Sequence, residues 1–356
     1  MNRTTSETPA DIGFRMPPEW ERHAATWVSW PFDDELWEGY LEQARNDVAA
    51  LVATVARFEP VRLNVRDGES EKDARRRLGE AGADLARVGF HRLPLNDAWF
   101  RDNGPLFVRD GEGKVALTDW EFNAWGEKYA PWDADDAAPL RVAETLGMRR
   151  FAVPVVLEGG ALELNGQGVC LTTRSCLLSQ HRNPEMTQDE YERVLHAQLG
   201  VKHVCWLEGG MKDDHTDGHI DTIVRFADDH TILCVVEEEE GDPNRVTLHH
   251  NLQLLQNMRD HDGNPFEIVT LPTPGKKPSI NGKRLPLTYA NFYVGNGFVA
   301  VPTYDDVNDE RALEIIRGCF PRHEVVGLNA EGLITGGGAF HCITQQQPEG
   351  EVAGGA

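Results

Sequence analysis

Apolar positions along the chain follow two alternating periods. Leu36, Tyr40, Ala44, Val48, Leu51, Val52 and Val55 recur at three- and four-residue intervals, the stripe of an amphipathic helix, and the apolar run "VRLNV" at 61–65 then predicts a strand. The succession returns later. Thr187 with Glu190 three residues on is a capping-box signature for a helix over "TQDEYERVLHAQL", which leads into the strand "HVCWL" at 203–207. A polar, glycine-bearing loop follows, and then two β-rich runs, "IDTIVRF" and "TILCVV", joined by the turn "ADDH". The unit is helix, strand, loop, hairpin.

That unit can be laid over other segments. "FAVPVVL" leads through "EGG" to the hairpin "ALELNGQGVCLTT", and "VGFHRL" leads through "PLNDAWFRDNGP" to "LFVRDGEGKVALTDWEF". The tetrapeptide "LEGG" occurs at 157–160 and again at 207–210, and a third glycine cluster stands at 336–338. About five strand-to-hairpin units can be counted this way, the number a closed ring of repeats around an axis requires. In such a ring the loops after equivalent strands meet at one end. An ordinary α/β sheet uses similar elements and is the competing architecture.

Composition narrows the partners. The chain has 356 residues, 40% of them hydrophobic, enough for a substantial core. A net charge of -23 argues against nucleic acid or an anionic membrane as partner and favours a cationic ligand. The six cysteines, at 170, 176, 205, 234, 319 and 342, show no CxxC pairing, so neither a zinc site nor a disulfide framework is suggested and reduced thiols are expected. The N-terminal "MNRTTSETPADIGFRMPPEW" has no apolar signal core, and no run approaches the roughly 18 apolar residues of a membrane span, so a soluble cytoplasmic protein is expected.

The loops hold the candidate chemistry. In order they carry Asp97 and Asp102 in "NDAWFRDNGP", Glu158 in "LEGG", His219 and Asp221 in "DDHTDGHIDT", and Cys342 in "GGGAFHCITQQQP". Each alone has a bland alternative: Asp102 and Asn103 as turn formers, Glu158 as a cap, 213–219 as a solvated acidic loop, and Cys342 as a buried apolar residue of a last strand. Their occurrence together on matching loops of a repeat favours a site. His215, Asp217, His219 and Asp221 also offer metal ligands at alternate positions, a second reading with zinc or manganese. Against it, there is no HExxH helix, and alternation along one strand edge encloses an ion poorly.

"NDAWFRDNGP", "FNAWG", "LEGGALELNGQG", "DGHIDT" and "GGGAFHCITQQQP" together resemble the signature segments of the agmatine deiminase and bacterial peptidylarginine deiminase group, within the guanidino-group-modifying superfamily. The resemblance runs from about residue 15 to 348. It implies a five-bladed α/β propeller of pseudo-repeats, the pentein fold, with "ATWVSWP" beside "FHCITQQ". Carried over by position, it makes Cys342 the nucleophile and His219 the general acid/base, with Glu158 orienting His219 and Asp97 and Asp221 gripping the guanidinium. No metal or other cofactor is implied. A guanidinium is planar and cationic, so forked carboxylates match its N–H pattern and fix its carbon over the sulfur.

Residues 1–348 are expected to form a single catalytic domain, with 349–356 a disordered tail. The expected substrate is agmatine, giving N-carbamoylputrescine and ammonia, with the aliphatic stem against Trp99 and Trp125 unless these are merely packed aromatics. Alternatives are deimination of free arginine or peptidylarginine, and amidino transfer to an amine. From another class comes a non-catalytic propeller that serves as a binding platform, in which the Cys, His and paired acids would have no reason to co-occur. Many agmatine deiminases read Asn after the histidine-x-aspartate where this chain has Thr222, which bears on recognition of the substrate's far end. A homo-oligomer is compatible with the sequence.

Overall fold

Strand pairing links the two ends of the chain. In the computed structural model, which describes residues 7–354, His23–Ser29 pairs antiparallel with Thr344–Pro348 and parallel with Val61–Val65, to which Val88–Arg92 adds in parallel. Thr26 stands opposite Gln346, so "ATWVSWP" lies beside "FHCITQQ" as expected. This is the first blade, and its innermost strand comes from the far end of the sequence.

Four further sheets repeat the arrangement in chain order. Each has a short inner strand antiparallel to a middle strand, which is in turn parallel to an outer one: Leu106–Arg109, Lys114–Glu121 and Arg150–Val156; Glu163–Leu164, Val169–Thr173 and His203–Leu207; Val224–Phe226, Thr231–Val236 and Glu267–Pro272; Tyr293–Gly295, Phe298–Thr303 and Glu324–Asn329. A parallel step needs a crossover connection, and a helix supplies it in every blade. These helices are Leu41–Phe58, Ala138–Leu146, Gln188–Leu199, Arg245–Asn257 and Asp309–Cys319. Inner strands of neighbouring blades contact one another, Thr344–Pro348 against Leu106–Arg109 and Glu163–Leu164 against Val224–Phe226. The fold is the pentein α/β propeller.

Local structure follows the apolar pattern with instructive exceptions. Ala44, Val48, Leu51, Val52 and Val55 are the buried face of the first helix, but that helix begins at Leu41, after Leu36 and Tyr40. Glu38 and Gly39, at φ 50° and 84°, break any helical path from Leu36. The capping box forms, with Glu190 accepting from the Thr187 N–H at 2.8 Å. "IDTIVRF" is strand only over Val224–Phe226; Ile220–Thr222 is instead one turn of 3-10 helix.

The tail requires a correction. It was expected to be disordered from 349, yet Glu351–Val352 pairs with Lys114–Val115 and Gly354 bridges Met148, because the second blade's middle strand leaves pairing capacity that outweighs the segment's small, polar composition. Residues 355 and 356 lie outside the described residues. Among the described residues no helix is long and apolar enough to cross a membrane.

Candidate active site

Every blade sends the loop after its outer strand to one place. The first supplies Asp97 and Asp102, the second Glu158, the third His219 and Asp221, the fourth Asn291 and the fifth Cys342, with 245 positions of sequence between Asp97 and Cys342. Convergence of loops at one end of a repeat ring explains how residues so distant become neighbours.

Cys342 lies in the short helix Phe340–Ile343 and is 5% exposed. Asn291 fastens it: its Oδ1 accepts from the backbone N–H groups of Ala339, His341 and Cys342 at 3.1, 3.1 and 3.2 Å, and its Nδ2 donates to Sγ at 3.1 Å. The Asp221 Oδ2 is 3.5 Å from the same sulfur. Flexibility is not what the triple glycine provides. A methyl group on Gly338 would stand 2.7 Å from the Trp99 ring and 3.0 Å from Sγ, so the chain passes there only without a side chain.

His219, fully buried, faces two carboxylates. Its Nδ1 is 3.7 Å from Asp102 Oδ1 and its Nε2 is 4.0 Å from Glu158 Oε2, longer than hydrogen bonds, and neither nitrogen has a hydrogen-bonding partner. Glu158 is held elsewhere: both of its oxygens accept from Arg182 Nε, at 2.8 and 2.9 Å, while Arg182 also pairs with Asp217. Asp102 accepts from Trp125 Nε1 at 2.9 Å and from the Gly160 N–H at 3.0 Å. Gly160 marks the meeting point, since a methyl there would lie 2.6 Å from His219 Nδ1, 2.8 Å from Asp102 Oδ1 and 3.1 Å from Asp221 Oδ2. Thr222 donates from its hydroxyl to the His219 carbonyl, closing the turn that carries both His219 and Asp221.

The charges are shifted by burial and by one another. Burial alone would lower His219, but Asp102, Cys176 and Glu158 push it up to about 10, so the ring is protonated at neutral pH. Asp221 is also penalised by burial, yet His341, His219 and Arg225 hold it below the usual carboxylate range. Burial, Asp221 and Asp102 push the Cys342 thiol well up. Burial and neighbouring Asp135 push Asp97 up to about 8. A cation arriving between Asp97, Asp221 and Cys342 would oppose the raised values by favouring each charged form.

A cleft of about 270 Å³ is lined by Asp97, Trp99, Trp125, Tyr129, His215 and Gly337 among others; of the converging side chains it includes Asp97, while Trp99 and Cys342 both pack against Gly338. A larger cavity of about 890 Å³, near Arg15, Asp228 and Arg322, includes none of the converging side chains. Trp99 and Trp125 are both buried, and both line the cleft. The donors of the metal reading diverge: His215 packs edge-on against Trp125, Asp217 pairs with Lys128 and Arg182, and Asp221 takes His341. Among the described residues two groups have ligand atoms within 4.8 Å of one another: Glu237, Glu239 and Asp242, away from the converging loops, and Glu158, Cys176 and His219, in which Arg182 already occupies the carboxylate.

Asn291, Cys176 and Arg182 were not anticipated from the sequence. Asn291 stands in the loop of the fourth unit, and counting five equivalent loops would have pointed to it.

A five-bladed propeller whose loops gather a cysteine, a histidine and acids at one end defines an enzyme that modifies guanidino groups, a hydrolase of amidine C–N bonds. The chain belongs to the Porphyromonas-type peptidyl-arginine deiminase family, whose model matches residues 15–348. It is 36% identical to an agmatine deiminase of Pseudomonas aeruginosa (strain LESB58), over 98% of this chain and 99% of that one. Among solved structures it resembles the agmatine deiminase of Enterococcus faecalis, with a TM-score of 0.92, 32% identity and coverage of 98% of this chain and 100% of that chain. An agmatine deiminase of C. jejuni with substrate bound gives a TM-score of 0.86 at 30% identity, covering 95% and 97%.

Proposed function

We propose that the chain is an agmatine deiminase that works through a covalent intermediate on Cys342. The observation that carries this is a set of buried polar atoms without partners, both His219 nitrogens and Asp221 Oδ1, gathered near the Cys342 sulfur. Unpaired buried polar atoms are costly, and a planar guanidinium supplies the N–H donors that the carboxylate lacks.

The chemistry follows from those positions. Asp97 and Asp221 bind the guanidinium and place its carbon over Sγ. The cation favours loss of the thiol proton to solvent, and the resulting thiolate attacks the carbon to form a tetrahedral adduct. His219, protonated at the outset, gives its proton to the departing nitrogen as the C–N bond breaks and ammonia leaves. The remaining amidino-thioether is hydrolysed by a water that the now neutral His219 activates; the C–S bond breaks, releasing the ureido product and the thiol. Glu158 and Asp102 flank the imidazole and favour its charged form.

Agmatine is preferred over arginine on the charge of the cleft. Glu35, Glu38 and Asp213 line it beside Asp97, and of its two cations Arg284 is paired with Asp242 at 2.6 Å. That balance suits a second positive charge at the substrate's far end rather than a carboxylate. Six free cysteines suit a reducing cytoplasm, and the acidic surface suits no nucleic-acid partner.

The test is a panel of agmatine, arginine, dimethylarginine and a blocked arginine peptide, with ammonia and ureido product both measured. Agmatine is expected to give the highest kcat/KM. Higher turnover of the blocked peptide would replace the substrate assignment, and absence of ammonia from every guanidine would overturn the deiminase reading.

A further inference from the structure

Beneath Asp221 lies a buried ionic cluster that the proposed chemistry does not itself use. His341, adjacent to the nucleophile, is 2% exposed, and its two ring nitrogens each face a carboxylate oxygen at 2.7 Å, Nδ1 to Asp221 Oδ2 and Nε2 to Glu19 Oε2. A neutral imidazole has one N–H, so one of these short contacts would then set a lone pair against a carboxylate oxygen. Both are satisfied when the ring carries both protons.

The surroundings agree. Glu19 Oε1 takes Arg225 at 3.0 Å and the Val294 N–H at 2.7 Å, and Arg101 reaches Oε2 at 3.3 Å. Arg225 also pairs with Glu163 at 2.9 Å. With His341 charged, three carboxylates (Glu19, Asp221 and Glu163) meet three cations (Arg101, Arg225 and His341), and no net charge is left buried. Glu19 is penalised by burial but is held well below its ordinary value by Arg225 and His341.

We infer that His341 is a positioning residue for the reaction: an imidazolium clamped between Asp221 and Glu19 that fixes Asp221 with Oδ1 free for the guanidinium and offsets the Asp221 charge beside the Cys342 thiolate. This rests on the reading of Asp221 as a guanidinium-binding carboxylate. The groups facing the thiol are Asp221 and Asp102, which disfavour the thiolate, and Asn291, which favours it. The clamp acts on Asp221, whose Oδ2 is 3.5 Å from the sulfur.

The experiment compares His341→Gln, Glu19→Gln and Asp221→Asn in the full-length protein. Gln at 341 keeps one donor but carries no charge. For His341→Gln the expected results are a fall in kcat/KM of roughly 10- to 100-fold, seen in both kcat and KM, and alkylation at Cys342 about tenfold slower near pH 8, read by mass spectrometry of the Cys342 peptide. Should His341→Gln fail to fold, Glu19→Gln, which loosens the clamp from its far end, must shift both readouts in the same direction by a smaller factor. A folded His341→Gln with a lowered melting temperature but unchanged kcat/KM and alkylation rate overturns the inference while leaving the deiminase reading intact. Unchanged activity in Asp221→Asn overturns the guanidinium reading itself.

Discussion

The floor of the site and its mouth are built on opposite electrostatic plans. On the floor, Asp221 is charged before any substrate arrives, held by His341 at 2.7 Å and backed by Glu19 and Arg225. At the mouth, Asp97 accepts only from the adjacent Ala98 N–H, has Asp135 close by, and is pushed up to about 8, so it is largely protonated at neutral pH. The backbones differ too. Asp221 sits on a regular turn, whereas Ala124, Trp125, Gly126 and Glu127 beside the mouth hold φ of 52°, 57°, 91° and 63°, a left-handed stretch that costs roughly 1–2 kcal/mol for each non-glycine residue. The floor is organised in advance; the mouth becomes charged as the cation enters. Strain of this kind persists where surrounding contacts over-determine it, and here Trp125 is fixed by its bond to Asp102 and Gly126 by Asn123.

The contrast can be broken by substitution. Cys342→Ser removes the nucleophile, and turnover should fall by roughly 10⁴-fold or more with the melting temperature nearly unchanged, whereas Cys170→Ser, buried in the third blade, should remain active. Asp221→Asn takes away a preformed charge and should lower kcat/KM by roughly 30- to 1000-fold, about 2–4 kcal/mol, measured by ammonia release beside thermal melting.

Asp97→Asn should cost less, roughly 10- to 100-fold, because the carboxyl it replaces is mostly neutral in the empty site. Its distinguishing mark is a proton. A group pushed up to about 8 when empty must lose its proton as the cation binds, so agmatine binding to Cys342→Ser should release close to one proton at pH 7 and tighten as pH rises towards 8, then level off. Calorimetry in buffers of different ionisation enthalpy reads that proton, and Asp97→Asn should abolish it. Equal proton release with and without Asp97 would show that the mouth is not the responsive region.

Two smaller effects sharpen the boundary. Trp125→Phe keeps an aromatic wall but removes the 2.9 Å donor to Asp102, with an expected loss of roughly 3- to 10-fold in kcat/KM. Asp110 accepts from the Glu112 and Lys114 N–H groups in a hairpin turn away from the loop end, and Asp110→Asn should leave kcat/KM within about twofold.

The repeat was legible because each blade is local: middle strand, crossover helix and outer strand follow one another, and the apolar periods mark them. "VRLNV" and "HVCWL" are strands over the expected residues, and the Thr187 capping box forms. Six converging side chains, Asp97, Asp102, Glu158, His219, Asp221 and Cys342, were readable because each stands in a glycine-bearing loop after an outer strand. What was not legible is what holds them. Asn291 fastens Cys342 from 51 positions away, Glu19 reaches His341 across 322, and Arg182 takes the Glu158 carboxylate that was expected to orient His219. Such partners are ordinary residue types in ordinary surroundings, and only the closed ring makes them neighbours. The tail failed for a related reason: its order depends on the middle strand of the second blade some 237 residues earlier, at Lys114.

The central claim is that Cys342 carries the reacting carbon. It is tested most directly by acid-quenching the enzyme during turnover of agmatine and examining the Cys342 peptide by mass spectrometry. The account predicts an adduct on that peptide with the mass of the substrate less ammonia, absent from the other cysteine peptides and from Cys342→Ser. Steady turnover with Cys342 unmodified at every quench time, or the same adduct on Cys176 beside His219, would contradict it.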